Sequence, residues 1–250
     1  MTSKQTTNIT NSPKQQFHAE GFFLMENMIP PPHLQLPRDT CVRLISRTDA
    51  DMDRRDVTVY DITHKNKRYF IDGAYAQMPC LADFILSPYM AEICRATIGP
   101  NAFLFKNQFV VKCAEVGMNF SWHQDSGNIP EPHKPYISCW CALDDANRSN
   151  GIIYILPASR AGGSGLRPHQ RLADTNDLVD YDGDDPGDPI EMAAGGIAIF
   201  SSRTLHRSGA NTTGGIRRIY LAQYSPHAMP AKVGTTRQAI SFLHNGKICR

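Results

Sequence analysis

Asn150-Gly151-Ile152-Ile153-Tyr154-Ile155-Leu156 is the stretch on which the fold class turns. Asn-Gly is a strong tight-turn signal, and here it opens a run of β-branched and aromatic residues, so a strand is predicted from Ile152 to Leu156. Runs of the same texture lie on either side: Phe103 to Val111, Tyr136 to Leu143, Ile197 to Phe200 and Ile216 to Tyr224, with Gly214-Gly215 as a second turn marker. No helical pattern alternates with them, which argues against a doubly wound parallel sheet and for an antiparallel sandwich or jelly roll. Helices belong to the earlier part of the chain. One is marked by Ser87 as cap, Pro88 at the first position and Gly99 at the exit, with Tyr89, Met90, Ile93, Cys94 and Thr97 along one face.

A chain of 250 residues can bury its core as one domain. Residues 1–16 are polar and too poor in apolar side chains to fold alone, so they are expected to form a flexible tail, with a single domain over 17–250. Lys and Arg number 26 against 24 Asp and Glu, and a formal charge of +2 gives no field to hold a nucleic-acid backbone or an anionic membrane. Seven scattered cysteines without a CxxC pair read as reduced thiols. With no signal-peptide core near Met1 and no run of about 18 apolar residues, a cytoplasmic protein is expected. The segment 161–189 is long and rich in Gly, Asp and Pro, including Asp180-Tyr181-Asp182-Gly183-Asp184-Asp185, and reads as a covering loop over a site or a solvated acidic loop. A calcium site there lacks the full ligand spacing.

The chemistry concentrates at Trp122-His123-Gln124-Asp125. Residues i and i+2 on extended backbone point the same way, so His123 and Asp125 can offer a ring nitrogen and a carboxylate oxygen to one point. By itself His-x-Asp is a common pair. A third ligand is available in His206, just beyond the apolar strand ending at Phe200. Two histidines and one carboxylate leave about three coordination positions open, the arrangement of oxygen-activating ferrous iron. A chelating cosubstrate would take two of them and dioxygen the third. On the strand Ile216-Arg217-Arg218-Ile219-Tyr220-Leu221, alternation groups Arg217 with Ile219 and Leu221, the inward set, so Arg217 rather than Arg218 is the candidate carboxylate fork.

These residues, with Tyr136 to Leu143 containing Trp140, the run Asn150 to Ser159, and Ser208, Gly209 and Asn211 after His206, resemble the phytanoyl-CoA dioxygenase family of Fe(II)/2-oxoglutarate-dependent oxygenases, from about Phe17 to Ser225. The resemblance implies a double-stranded β-helix, a cupin-like jelly roll with flanking helices. It implies that His123, Asp125 and His206 bind Fe(II) and that Arg217 binds the distal carboxylate of 2-oxoglutarate. It also puts Gln108, Trp140 and Ser208 around the cosubstrate and Lys112 near the pocket mouth. From the residues alone, Gln108 and Lys112 share a strand face with Lys106 that could equally be solvent-facing, and Trp140 could be core packing. The implied activity consumes dioxygen and 2-oxoglutarate, releases succinate and CO2, and oxidises an unactivated carbon of a small molecule. Hydroxylation is the default, with desaturation, epoxidation or ring formation as alternatives and a secondary metabolite as the substrate class. Asp125 disfavours halogenation, which in related enzymes goes with a small residue at that position. One departure is Pro157-Ala158-Ser159-Arg160, where the family carries Pro-Gly-Ser-His. A zinc hydrolase would leave Arg217 unexplained, and a non-catalytic cupin-like binding protein would leave the ligand set unused. The sequence leaves the oligomeric state open.

Overall fold

The computed structural model describes residues 9, 11–78, 81–115, 117–175, 177–229 and 239–249. The amino-terminal part carries α1 (Asn11–Glu20), β1 (Phe22–Met25), α2 (Pro31–Arg54), β2 (Val59–Tyr60), β3 (Thr63–His64), β4 (Arg68–Asp72), α3 (Ala74–Gln77), α4 (Ala82–Ile85) and α5 (Pro88–Thr97). There follow β5 (Ala102–Lys112), β6 (Phe120–His123), a 3-10 turn (Asp125–Asn128), β7 (Ile137–Ala142), β8 (Ile153–Leu156) and α6 (Ala158–Ala161). The rest is β9 (Gln170–Arg171), β10 (Leu178–Val179), β11 (Asp188–Pro189), β12 (Ile197–Ser201), β13 (Leu205–Ser208), β14 (Arg217–Ser225), β15 (Ile240–His244) and β16 (Lys247–Ile248).

The large sheet runs β1-β12-β7-β14-β5-β4-β3-β2, with β15 also on β5, and the small sheet runs β11-β8-β13-β6. Their pairings are antiparallel, and the mainly β, cupin-like jelly roll expected from the sequence is present. Strand period two gives each strand of the large sheet two different faces. Cys139 and Cys141 of β7, Ile197 and Ile199 of β12, and Tyr220, Ala222 and Tyr224 of β14 pack with Leu44 of α2 and Met90, Ile93 and Cys94 of α5. The opposite residues, Trp140, Ala198, Phe200, Ile219 and Leu221, meet Ile153 and Ile155 of the small sheet. Helices therefore cover one face of the large sheet, and the space between the two sheets is the barrel interior.

α5 ends as its signals required: Ser87 Oγ accepts the Met90 N–H at 3.4 Å, and Gly99 takes a φ of +99° as the chain leaves. α2 had no such clear signal. It starts on Pro31, carries Pro37 inside, and is held by the buried stripe Leu34, Cys41, Leu44 and Met52.

One expectation changes and one is filled in. The segment read as a tail to residue 16 is helical from Asn11, because Phe17 of the same helix packs edge-on against Phe23 at 6.1 Å and joins the helix-side core; residues 1–8 and 10 lie outside the described residues. The acidic stretch of 161–189 is partly paired, while Asp174, Asp182 and Asp184 are exposed. Asp177 pairs with Arg68, Asp180 with His169, and Asp185 and Asp188 with Arg160. Arg160 in α6, just after β8, thus ties down the end of the loop. No helix among the described residues is long and apolar enough to cross a membrane.

Candidate metal and cosubstrate site

His123 ends β6 and His206 lies on the adjacent β13, and the two are direct cross-strand partners. Directly opposed residues share a face, and the rings stand 4.1 Å apart between centroids at 51°. Asp125 opens the 3-10 turn that follows β6, and its Oδ1 lies 3.7 Å from Nε2 of both histidines. Among the described residues these three form the one group of His, Cys, Asp or Glu ligand atoms close enough to hold a metal, all within 4.8 Å of one another.

The surrounding bonds fix which atoms face the centre. His123 Nδ1 donates to the Ser121 carbonyl at 2.8 Å and His206 Nδ1 to the Thr204 carbonyl at 3.0 Å. A carbonyl only accepts, so both rings carry a proton on Nδ1 and turn Nε2 toward the centre as the ligating nitrogen. Burial, then the neighbouring His123, push His206 down to about 4, which keeps it neutral. Asp125 Oδ2 is occupied by the Ser138 hydroxyl at 2.5 Å and the Gln223 amide at 3.1 Å, leaving Oδ1 for the centre. Burial alone would raise the Asp125 carboxyl, but His206, His123 and Ser138 outweigh it and hold it well below the usual carboxylate range. Two imidazole nitrogens and one carboxylate oxygen fit a divalent iron with open positions.

Arg217 and Arg218 separate as strand alternation predicted. Arg218 is on the helix side, where Asp144 accepts its Nε at 2.8 Å and its Nη2 at 2.7 Å. Arg217 is 1% exposed in the barrel interior, its guanidinium carbon 5.6 Å from the centre of the Trp140 ring. Its Nη2 donates to the Gly151 carbonyl at 2.9 Å, whereas Nη1 is buried without a partner. Burial pushes the guanidinium down to about 9. Lys112 is directly across β5 from Arg217, and Arg68 directly across β4 from Lys112. Burial, then Arg217 and Arg68, push Lys112 well below its ordinary value. Three buried basic side chains thus stand in a row, of which Arg68 is paired with Asp177, and an anion fits beside Arg217 and Lys112.

Gln108 and Lys112 are buried, so the solvent-facing reading of that strand face fails for both. Gln108 Oε1 also lacks a partner, and Lys112 Nζ donates to the carbonyls of Met118 and Gly209. Ser208 is half-buried, two residues beyond His206 on β13. Sequence reading missed Ser138 and Gln223, although alternation would have found them. Ser138 is two residues before Trp140, and Gln223 follows Arg217, Ile219 and Leu221 at the same spacing. It also missed His169 and the Arg68–Asp177 pair, which no local pattern announces.

The sequence matches the phytanoyl-CoA dioxygenase (PhyH) family over residues 17–219. It is 23% identical over 257 residues to the zebrafish (Danio rerio) phytanoyl-CoA dioxygenase domain-containing protein 1, covering 85% of this chain and 88% of that one. Among solved structures, EvdO2 from Micromonospora carbonacea var. aurantiaca complexed with 2-oxoglutarate superposes with a TM-score of 0.69 at 21% identity, covering 94% of this chain and 97% of that one. The non-haem α-ketoglutarate-dependent carbocyclase SnoK from nogalamycin biosynthesis superposes with a TM-score of 0.67 at 16% identity, covering 90% and 87%. The family match and the His-Asp-His geometry agree: the chain belongs to the phytanoyl-CoA dioxygenase family of Fe(II)/2-oxoglutarate-dependent oxygenases.

Proposed function

We propose that this oxygenase hydroxylates an unactivated carbon of a small molecule of secondary metabolism, with His123, Asp125 and His206 as its iron ligands. The observation that carries the reading is Asp125, whose Oδ2 is tied to Ser138 and Gln223 while Oδ1 faces both Nε2 atoms. A carboxylate held by one oxygen fills one position and leaves others for cosubstrate and dioxygen, and its presence disfavours halide binding in its place.

The chain's own groups bind, orient and exclude water. The Nδ1–H bonds to Ser121 and Thr204 hold the imidazoles in their ligating form. Arg217, through the unpartnered Nη1, takes the distal carboxylate of 2-oxoglutarate, with the Lys112 amine beside it and Trp140 as a wall. Gln108 and Ser208 complete the polar lining. Ile153, Ile155, Phe200 and Leu221 keep the interior apolar, which strengthens each charge interaction there. Bound iron supplies the oxidising chemistry: substrate, 2-oxoglutarate and dioxygen give hydroxylated product, succinate and CO2.

That SnoK, a neighbour in fold, is described as a carbocyclase supports a small-molecule substrate and makes ring formation the second reading. The test is dioxygen uptake and succinate release with Fe(II) and 2-oxoglutarate across a substrate panel. Product heavier than substrate by one oxygen supports hydroxylation. Product lighter by two hydrogens points to ring formation or desaturation. The absence of succinate under every condition would contradict the proposal.

A further inference from the structure

Gln124, between the two ligand positions of β6 and its turn, is only 1% exposed, and its polar groups are engaged away from the metal. Its backbone N–H donates to His169 Nε2 at 3.1 Å, and its side-chain carbonyl accepts the Arg167 N–H at 2.8 Å. Its amide nitrogen donates to the carbonyls of Gly165 at 2.8 Å and Arg203 at 2.6 Å. Three of these partners lie within five residues of the 161–189 loop. The fourth immediately precedes Thr204, whose carbonyl fixes the His206 ring. One amide thus joins the His123–Asp125 turn, the approach to His206 and the covering loop.

The loop reaches back through His169. Its ring covers Gly127 so closely that a Cβ built there would be 2.3–2.4 Å from the ring atoms. His169 Nδ1 donates to the Arg167 carbonyl at 2.8 Å and Nε2 accepts the Gln124 N–H, so the ring is held from both ends, with the Asp180 carboxylate beside it. The Asp180 N–H in turn bonds the Trp122 carbonyl at 3.2 Å, on the strand that carries His123.

We propose that Gln124 is a positioning residue through which the 161–189 loop and the metal ligands set each other's geometry, so that metal binding and loop docking strengthen one another. This rests on the reading of His123, Asp125 and His206 as ligands. The amide is suited to the role because it gives two donors and one acceptor at once. Glu in its place would turn an acceptor toward the carbonyls of Gly165 and Arg203, and Met would keep the length without the bonds. Coupling between two binding events is reciprocal: whatever factor metal contributes to docking, the docked loop contributes to metal affinity.

The experiment uses cobalt(II) alone as the probe, with affinity from titration calorimetry and loop docking from hydrogen–deuterium exchange of peptides spanning 163–172, which contain the Arg167 amide. In the wild type, cobalt should slow that exchange by roughly 5–150-fold, the ordinary range for coupled sites. In Gln124→Met and in His169→Ala, cobalt should bind more weakly by about the same factor and should no longer slow the exchange. The double variant should be no weaker than either single one. A role confined to folding would lower melting temperature but leave the cobalt dependence of loop exchange in place, and that result, or wild-type affinity in either variant, overturns the proposal. Should Gln124→Met fail to fold, His169→Ala carries the same two outcomes from the loop side. Cobalt binding to the wild type with an indifferent loop overturns this inference alone. No cobalt binding to the wild type overturns the ligand assignment as well.

Discussion

Arg217→Met is expected to make the metal-free protein more stable while ending its response to 2-oxoglutarate. The guanidinium is fully buried, has one unpartnered Nη1, and is depressed by burial from its ordinary value to about 9. A fall of that size corresponds to about 5 kcal/mol against the charged form. The sign is that of a buried cation: at neutral pH both folded and unfolded states are protonated, so the penalty is present in full and is relieved only above pH 9. Met removes the charge and keeps an apolar side chain of similar reach, at the cost of two bonds to the carbonyls of Asn150 and Gly151, about 1 kcal/mol each. The balance is about 3 kcal/mol in favour of the variant, or about 6–12 °C in melting temperature for a domain of this size. Calorimetry of the metal-free proteins with and without 2-oxoglutarate reads both effects. The wild type should gain about 2.7 kcal/mol at a hundredfold excess over Kd, and the variant nothing. A variant that melts below the wild type and is still stabilised by 2-oxoglutarate would show that Arg217 neither bears this burial cost nor binds the cosubstrate.

Three other perturbations test separate parts of the account. Arg217→Lys, which cannot reproduce the two-pronged fork, should raise the KM for 2-oxoglutarate by about tenfold or more. Arg218→Lys, on the opposite face with Asp144, should leave that KM nearly unchanged, and equal effects would show a wrong strand register. Asp177→Ala leaves Arg68, 1% exposed, without its carboxylate and should cost about 3–5 kcal/mol in chemical denaturation. His206, with a folded value of about 4 against 6.5, stays neutral while the unfolded chain takes up a proton. Metal-free stability should therefore fall as pH drops from about 6.5 to 4, by about 3 kcal/mol, and His206→Gln should flatten that slope in pH-dependent melting.

The parts of the fold and site that sequence made legible were those written in short periods. Alternation alone put Arg217 inward and Arg218 outward, and Ser87, Pro88 and Gly99 bounded α5 to within two residues. His123 and Asp125 were legible because their spacing is local, whereas His206 needed the barrel to bring it opposite His123. The row Arg68, Lys112 and Arg217 was invisible because its members are neighbours only across three strands. The pairing within the loop was hidden for the same reason: the partners of Asp177, Asp180, Asp185 and Asp188 at Arg68, His169 and Arg160 lie well away from them along the chain. Helicity in α1 from Asn11 likewise depends on a contact, Phe17 with Phe23, that the polar composition of residues 1–16 does not reveal.

The central claim, that His123, Asp125 and His206 together hold the iron to which 2-oxoglutarate chelates, is tested most directly by an anaerobic titration. Fe(II) is added to the protein with 2-oxoglutarate, and the visible charge-transfer absorption of the ferrous chelate is recorded for the wild type, Asp125→Ala and His206→Ala. One iron per chain and a band in the wild type alone are expected, with all three proteins unfolding cooperatively. A band of undiminished intensity in either folded variant, or none in a wild type that binds both iron and 2-oxoglutarate, would contradict it.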